Sequence, residues 1–221
     1  MNLVVIRWVL LLICGLVFGM ASVQAQDVSS REQAIAGLSS DNVGERHLAI
    51  RWFARSGNFA DAELLMEHLA DEDGALRADA EGAVWVLWGR SGDVEIDKLL
   101  QGGIHDMNQG RMAQAVDTFT RVIERKPDFA EAWNKRATAY YLMDDLDQSL
   151  KDCDEVIKRN PRHFGALSGM GQIHFQLEQW DKALEWYRRA LDVNPNMLGV
   201  EMNIRLIEEK LQARPAPGRS T

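Results

Sequence analysis

Residues 130–163 read AEAWNKRATAYYLMDDLDQSLKDCDEVIKRNPRH, and residues 164–197 read FGALSGMGQIHFQLEQWDKALEWYRRALDVNPNM. Both carry an Asn-Pro pair close to the end, Asn160-Pro161 and Asn194-Pro195, and Pro127 continues the series upstream at the same interval of 34 residues. Taking each proline as position 32 divides the chain into 96–129, 130–163 and 164–197. Position 8 then holds Gly103, Ala137 and Gly171, and position 20 holds Ala115, Ser149 and Ala183. Small residues at fixed intervals let two antiparallel helices joined by a short turn approach closely. Large residues fill the space between them: Leu99, Trp133 and Leu167 at position 4, and Phe119, Cys153 and Tyr187 at position 24. Each proline ends a second helix, because it has no N–H to donate and its ring clashes with the preceding turn.

A period of 34 residues with these columns resembles the tetratricopeptide repeat. The middle copy is the clearest, through Ala130-Glu131-Ala132-Trp133, Ala139-Tyr140-Tyr141, Ser149-Leu150 and Asn160-Pro161. The first departs most, with Asp106 where an aromatic is usual; Arg136 and Met170 replace a common Leu at position 7. After the third copy, Val200, Ile204, Ile207 and Leu211 form one apolar helical face, the cap that a stack of repeats needs over its last open side. That helix is expected over 198–213, with a disordered tail at 214–221.

Residues 28–95 also read as helices. Asn42, with Glu45 three residues on, predicts a capping box that opens a helix at Val43. Gly57 closes it, Asn58 can cap the next helix, Asp73 opens a further one, and Gly89 or Gly92 ends that. Arg46-x-x-Ala49 and Arg77-x-x-Ala80 align 31 residues apart, each preceded by an acidic turn (Ser40-Asp41-Asn42 and Asp71-Glu72-Asp73) and followed by Arg-Ser-Gly. This resembles a pair of short HEAT-type repeats; a degenerate tetratricopeptide unit starting around Gly57-Asn58-Phe59 is the other reading. The expected fold class is therefore all-α, an α-solenoid of stacked helical hairpins with a HEAT-like pair, three tetratricopeptide units and a capping helix.

The 221-residue chain is 46% apolar and 26% charged, with a net charge of −8 and no basic stripe, which disfavours nucleic acid as a partner. Residues 1–25 have the layout of a secretory signal peptide: Arg7 in a short n-region, an apolar run from Trp8 to Met20, and Val23-Gln24-Ala25 before the expected cut. Export is expected, to a bacterial periplasm; secretion, or anchorage by residues 8–20, is the alternative, and no other membrane association is expected. Cleavage would remove Cys14 and leave Cys153 as the sole thiol, which sits in a core column and is expected to be buried and inert.

No catalytic, metal or cofactor motif is present. His47, His68, His105, His163 and His174 have no ligand spacing. His174 reads as a packing residue with a satisfied nitrogen, and Asp144-Asp145 reads as a solvated turn rather than an acid–base pair. Trp85 and Trp88 stand three apart on a nearly continuous apolar run, which fits either one ring facing outward toward a partner or a longer internal helix.

The resemblance implies a protein-binding scaffold, with first-helix positions 2, 5, 9, 12 and 13 on a concave face. Carried over, these give the candidate partner-binding residues Leu100, Ile104 and Met107 in the first copy, Asn134, Thr138 and Tyr141 in the second, and Ser168, Gln172 and Phe175 in the third. Family members that grip a peptide's terminal carboxylates use Lys and Arg in such columns, and none stands there in this chain. The expected partner is a protein or peptide segment held by apolar contacts and Asn/Gln hydrogen bonds. Self-association as a structural subunit is the alternative, as is a face that the terminal helix fills to complete the core.

Overall fold

The computed structural model describes residues 28–213, and all regular structure among them is helical. The expected leader and tail lie outside the described residues. The amino-terminal unit comprises α1 (Arg31–Leu38), α2 (Val43–Ser56), the short α3 (Ala62–Met66) flanked by 3-10 turns, and α4 (Gly74–Trp88). Asn42 caps α2 through the Gly44 N–H, but Glu45 does not complete the predicted capping box; its carboxylate accepts from the Ser40 hydroxyl instead. Asn58 forms such a box with Asp61, and Asp73 accepts from the N–H groups of Ala75 and Leu76 to open α4, which Gly89 closes.

The two aligned arginines have equivalent roles. Arg46 donates to the carbonyls of Ser40 and Asp41, and Arg77 to those of Asp71 and Glu72, so each ties its helix to the preceding turn. Arg46 also pairs with the Asp71 carboxylate at 3.0 Å, joining one hairpin to the next.

The repeats follow as α5 (Val94–Asn108) and α6 (Met112–Arg125), α7 (Ala130–Leu142) and α8 (Leu146–Arg159), and α9 (Phe164–Gln176) and α10 (Trp180–Val193); α11 (Leu198–Gln212) closes the series. The position-8 glycines, Gly103 and Gly171, face the second-helix rings of their own hairpins. A Cβ on Gly103 would lie 2.5 Å from Phe119, and one on Gly171 would lie 2.4 Å from Tyr187. In the middle repeat, where position 24 is the smaller Cys153, position 8 can be Ala137. Overpacking of this kind lowers stability by about 1–3 kcal/mol, so Gly103→Ala is expected to be destabilising by that amount in urea titrations followed by circular dichroism. Gly102→Ala, whose Cβ would meet nothing within 4 Å, is expected to stabilise by about 0.5–1 kcal/mol through helix propensity alone. Equal effects at the two sites would refute the close-packing account.

Each turn between first and second helices passes through one left-handed residue at the same repeat position: Gly110 (φ 74°), Asp144 (φ 61°) and Glu178 (φ 55°). In each, the next N–H closes onto a carbonyl five residues back, from Arg111, Asp145 and Gln179 to Asp106, Tyr140 and His174. A Cβ in this conformation costs about 1 kcal/mol or more. Glu178→Gly is therefore expected to raise the thermal midpoint, and an unchanged or lower midpoint would count against this turn geometry.

Arg136, unusual at its position, is held by two bonds of 2.7 and 2.8 Å to the Asp152 carboxylate of α8 and one of 2.9 Å to Thr120 of α6, so it clamps consecutive hairpins. At the other end of the stack, Val200 and Ile207 of α11 are buried against Leu184 and Tyr187, with Ile204 and Leu211 packed alongside.

The amino-terminal unit does not lie on the first repeat. Its core continues into Phe164, with Val193 and Met197 packed against it, while α5 and α6 form a separate cluster with Phe129 and α7. Arg77 donates to Asn196 Oδ1 at 2.8 Å, and Asn196 donates to the Leu69 carbonyl at 2.6 Å. Asn196 thus occupies, for Arg77, the place that Asp71 occupies for Arg46. An ion pair between Arg162 and Glu63 adds a further link. The unit is folded back across the loops that precede α9 and α11.

Candidate interaction groove

The fold-back builds a junction from α4, α7 and the start of α9. Trp88 is buried and stacks on His163, with ring centroids 4.3 Å apart, and Trp85 meets His163 and Phe164 edge-on at 5.5 and 5.0 Å. Trp88 is buried and Trp85 partly so, which matches the internal-helix alternative, because the helix face that carries both is covered by the third repeat. Gly165 makes room: a Cβ there would lie 2.4 Å from Trp85. His163 Nδ1 accepts from the Ala166 N–H at 3.1 Å, which leaves Nε2–H to donate to the buried Glu131 carboxylate at 3.0 Å. Lys135 completes the cluster, 2.8 Å from Glu131 and 5.6 Å from the Trp85 ring centre. Burial opposes ionisation of Glu131, yet the bonds from His163 and Lys135 prevail and hold its carboxyl below the ordinary glutamate range.

Beside this junction lies an open groove of about 600 Å³. Asn134, Thr138 and Tyr141 of α7 and Ser168, Gly169 and Gln172 of α9 line it along the concave face; Ser149, Cys153 and Tyr187 come from the second helices. Glu81 of α4 bounds one side and Val200, Met202 and Asn203 of α11 another. Asn203 donates to Tyr187 Oη and Gln172 Oε1 at 3.0 and 3.2 Å, and Tyr187 donates to the same Gln172 oxygen at 3.0 Å. Burial pushes the Tyr187 hydroxyl up to about 12, so it acts as a neutral donor.

Five of the nine sequence-derived candidates, Asn134, Thr138, Tyr141, Ser168 and Gln172, line this groove. The other four do not. Leu100 is fully buried, Ile104 and Met107 pack in the same cluster, and Phe175 lies against Trp180 at 5.4 Å. Leu100, Ile104 and Met107 pack into the core cluster of the first hairpin because burial removes their apolar surface from water, whereas Leu142 in the second copy stays exposed. Sequence reasoning passed over Glu81 and Asn203, which come from outside the five columns; Gly165 stands at position 2 of the third copy. A glycine-rich first helix (Gly165, Gly169, Gly171) was the available signal, since each glycine weakens a helix by about 1 kcal/mol relative to alanine.

The groove offers no nucleophile. Burial, followed by the charges of Asp152 and Asp154, pushes the Cys153 thiol up to about 12. His174 Nδ1 donates to Gln179 Oε1 at 2.8 Å, the packing role expected of it. Asp144 and Asp145 lie exposed in a turn, where Asp145 caps α8. Among the described residues no group of three or more His, Cys, Asp or Glu could hold a metal ion, and no helix is long and apolar enough to cross a membrane.

Stacked antiparallel hairpins with a concave groove define a helical-repeat protein. The chain carries tetratricopeptide repeats: the family model described as tetratricopeptide repeat matches residues 130–163 and 165–197, and 96–129 adopt the same hairpin. A TPR repeat-containing protein of Rhizobium etli is 35% identical over 124 residues, covering 56% of this chain and 61% of that protein. Hsp70-Hsp90 organizing protein 1 of Glycine max is 29% identical over 115 residues, 52% of this chain and 20% of the relative. The chain thus spans less than two thirds of either. The first TPR of Spaghetti (RPAP3), solved bound to an HSP90 peptide, is similar in fold, with a TM-score of 0.52 and 24% identity over 53% of this chain and 94% of that one.

Proposed function

We propose that this protein is a non-catalytic scaffold that holds a segment of another protein in the groove between α4, α7, α9 and α11. The observation that carries this reading is the groove lining: side-chain amides, hydroxyls and apolar surface over about 600 Å³, with Glu81 the one charged group and no Lys or Arg among the lining residues. Concave, mostly apolar surfaces with a few convergent polar groups are where ligands bind, and a peptide can use both the apolar wall and the amides. The HSP90 peptide SRMEEVD in the Spaghetti structure is acidic; the lining here lacks cations to meet such a peptide. The equivalence of Arg46 and Arg77 supports a HEAT-like pair in residues 28–95. The layout of residues 1–25 supports a scaffold working outside the cytoplasm, in a bacterial periplasm.

Crosslinking in the native compartment followed by mass spectrometry tests the reading. Wild type is expected to capture a defined protein that Tyr141→Ala and the groove-filling Ser168→Trp both lose; capture unchanged in both variants would remove the groove from the function. Self-association is a second reading, favoured by Leu198, Met202 and Leu206, exposed in a row on α11. Sedimentation across a concentration range decides it: Leu206→Glu, outside the groove lining, is expected to dissolve any oligomer that uses this row.

A further inference from the structure

We infer that the groove selects a cationic side chain, a Lys or Arg within an otherwise apolar or small-residue segment. This inference rests on the groove being the binding site, as proposed above, and specifies the chemistry of its occupant. Glu81 is the one charged residue among those lining the groove, and it forms no ion pair among the described residues. The neighbouring cations are committed elsewhere. Lys135 is bound to Glu131, and Arg77, one helical turn before Glu81, is taken up by Asn196 and the carbonyls of Asp71 and Glu72. The fold-back is what brings Glu81 to the groove. Arg77, Glu81, Trp85 and Trp88 recur at helical spacing along α4, so the docking of Trp85 and Trp88 against His163 and Phe164 sets the carboxylate at the edge of the concave face.

The remaining lining suits the same occupant. Gln172 Oε1 already accepts from Tyr187 and Asn203, and the Ser168 and Thr138 hydroxyls donate to their own helix at Gly165 and Asn134. The Gln172 oxygen and the two hydroxyls offer acceptor lone pairs that a guanidinium or ammonium on an alkyl stem can use; the Gln172 N–H groups can meet an anion and the Tyr141 hydroxyl either sign, so Glu81 sets the preference. A cation beside a half-buried carboxylate also gains a charge-assisted bond stronger than a neutral one.

The test is an array of acetylated and amidated octapeptides, built on an alanine-serine background with one position scanned through Lys, Arg, Gln, Glu and Leu. It is probed with the chain from residue 26 onward, carrying a tag at its amino terminus. Lys and Arg are expected to bind about three- to tenfold more tightly than Glu. Glu81→Gln should reduce that ratio to near one while keeping any preference for Leu, and Glu81→Lys should invert it; helix content and melting temperature should be unchanged in both. Equal or tighter binding of the Glu peptides by wild type would overturn the inference while leaving the groove as the site. A Lys/Arg preference that survives Glu81→Gln would overturn it as well. Binding untouched by Ser168→Trp would instead overturn the groove itself. Binding to cationic peptides that appears only after residues 214–221 are removed would show the chain's own Arg214 and Arg219 to be the occupant, and would overturn the assignment to a separate partner.

Discussion

Trp88→Ala is expected to lower the unfolding free energy by about 3–5 kcal/mol, the range for removing a fully buried tryptophan, and to undock α4 from the third repeat. Trp88 lies in the core of the amino-terminal unit and also stacks on His163 across the junction. Its loss therefore weakens the unit and its attachment together. Urea titration followed at 222 nm gives the first effect; hydrogen exchange at the His163–Ala166 amides reports the second. A variant that loses stability but keeps slow exchange at those amides would separate the core role from the docking role and refute the latter. Trp85 and Gly165 provide an internal control. Gly165→Ala should be destabilising in the wild-type background, where its Cβ would meet Trp85 at 2.4 Å, and neutral or stabilising once Trp85 is also alanine. Residues in contact show such non-additivity, and distant ones do not.

The repeat hairpins were legible in the sequence because their constraint is local and periodic. Gly103 must be small because Phe119 lies over it, Gly171 because Tyr187 does, and both pairs recur 16 residues apart within one hairpin. The turn was half legible: Gly110 advertises a left-handed residue, whereas Asp144 and Glu178 adopt that conformation without advertising it. The fold-back was not legible. Its bonds join residues as far apart as Arg77 and Asn196, and no period in the sequence connects them. The duplicated Arg46 and Arg77 signalled stacking of one amino-terminal hairpin on the next, but not that an asparagine from the end of the third repeat would complete the series. The groove was legible in its polar half. Of the residues taken from the concave columns, Asn134, Thr138, Tyr141, Ser168 and Gln172 line the groove, whereas Leu100, Ile104, Met107 and Phe175 pack into apolar clusters, where burial removes their surface from water. Glu81, the sole charge on the groove wall, came from the unit whose docking the sequence did not reveal.

Glu131→Ala is expected to be as damaging as the loss of Trp88. It leaves His163 Nε2–H without an acceptor in a fully buried site and strips Lys135 of its partner. Breaking a buried charge cluster by removing one member costs about 3–5 kcal/mol. Glu131→Gln should cost less, since the amide oxygen can still accept from His163, and the difference between wild type and this variant isolates the carboxylate's charge. The sign follows from the direction of its shift. The folded-state carboxyl titrates below the ordinary glutamate value of 4.5, so the native state binds its proton less readily than the unfolded chain. The resulting stabilisation is complete above pH 4.5 and is lost as the pH falls through the folded-state value. Asp71, Asp93 and Glu155 are lowered as well, so wild type and Glu131→Gln should both weaken in acid. The gap between them should close as pH falls below 4.5. A gap that stays constant down to pH 3 would mean that Glu131 acts through shape and hydrogen bonding rather than charge. One that widens would reverse the assigned direction of its shift. Because Lys135 reaches from Glu131 to the Trp85 ring, closure of the gap should coincide with faster exchange at the His163–Ala166 amides, tying the buried charge to the docking of α4 and so to the wall that carries Glu81.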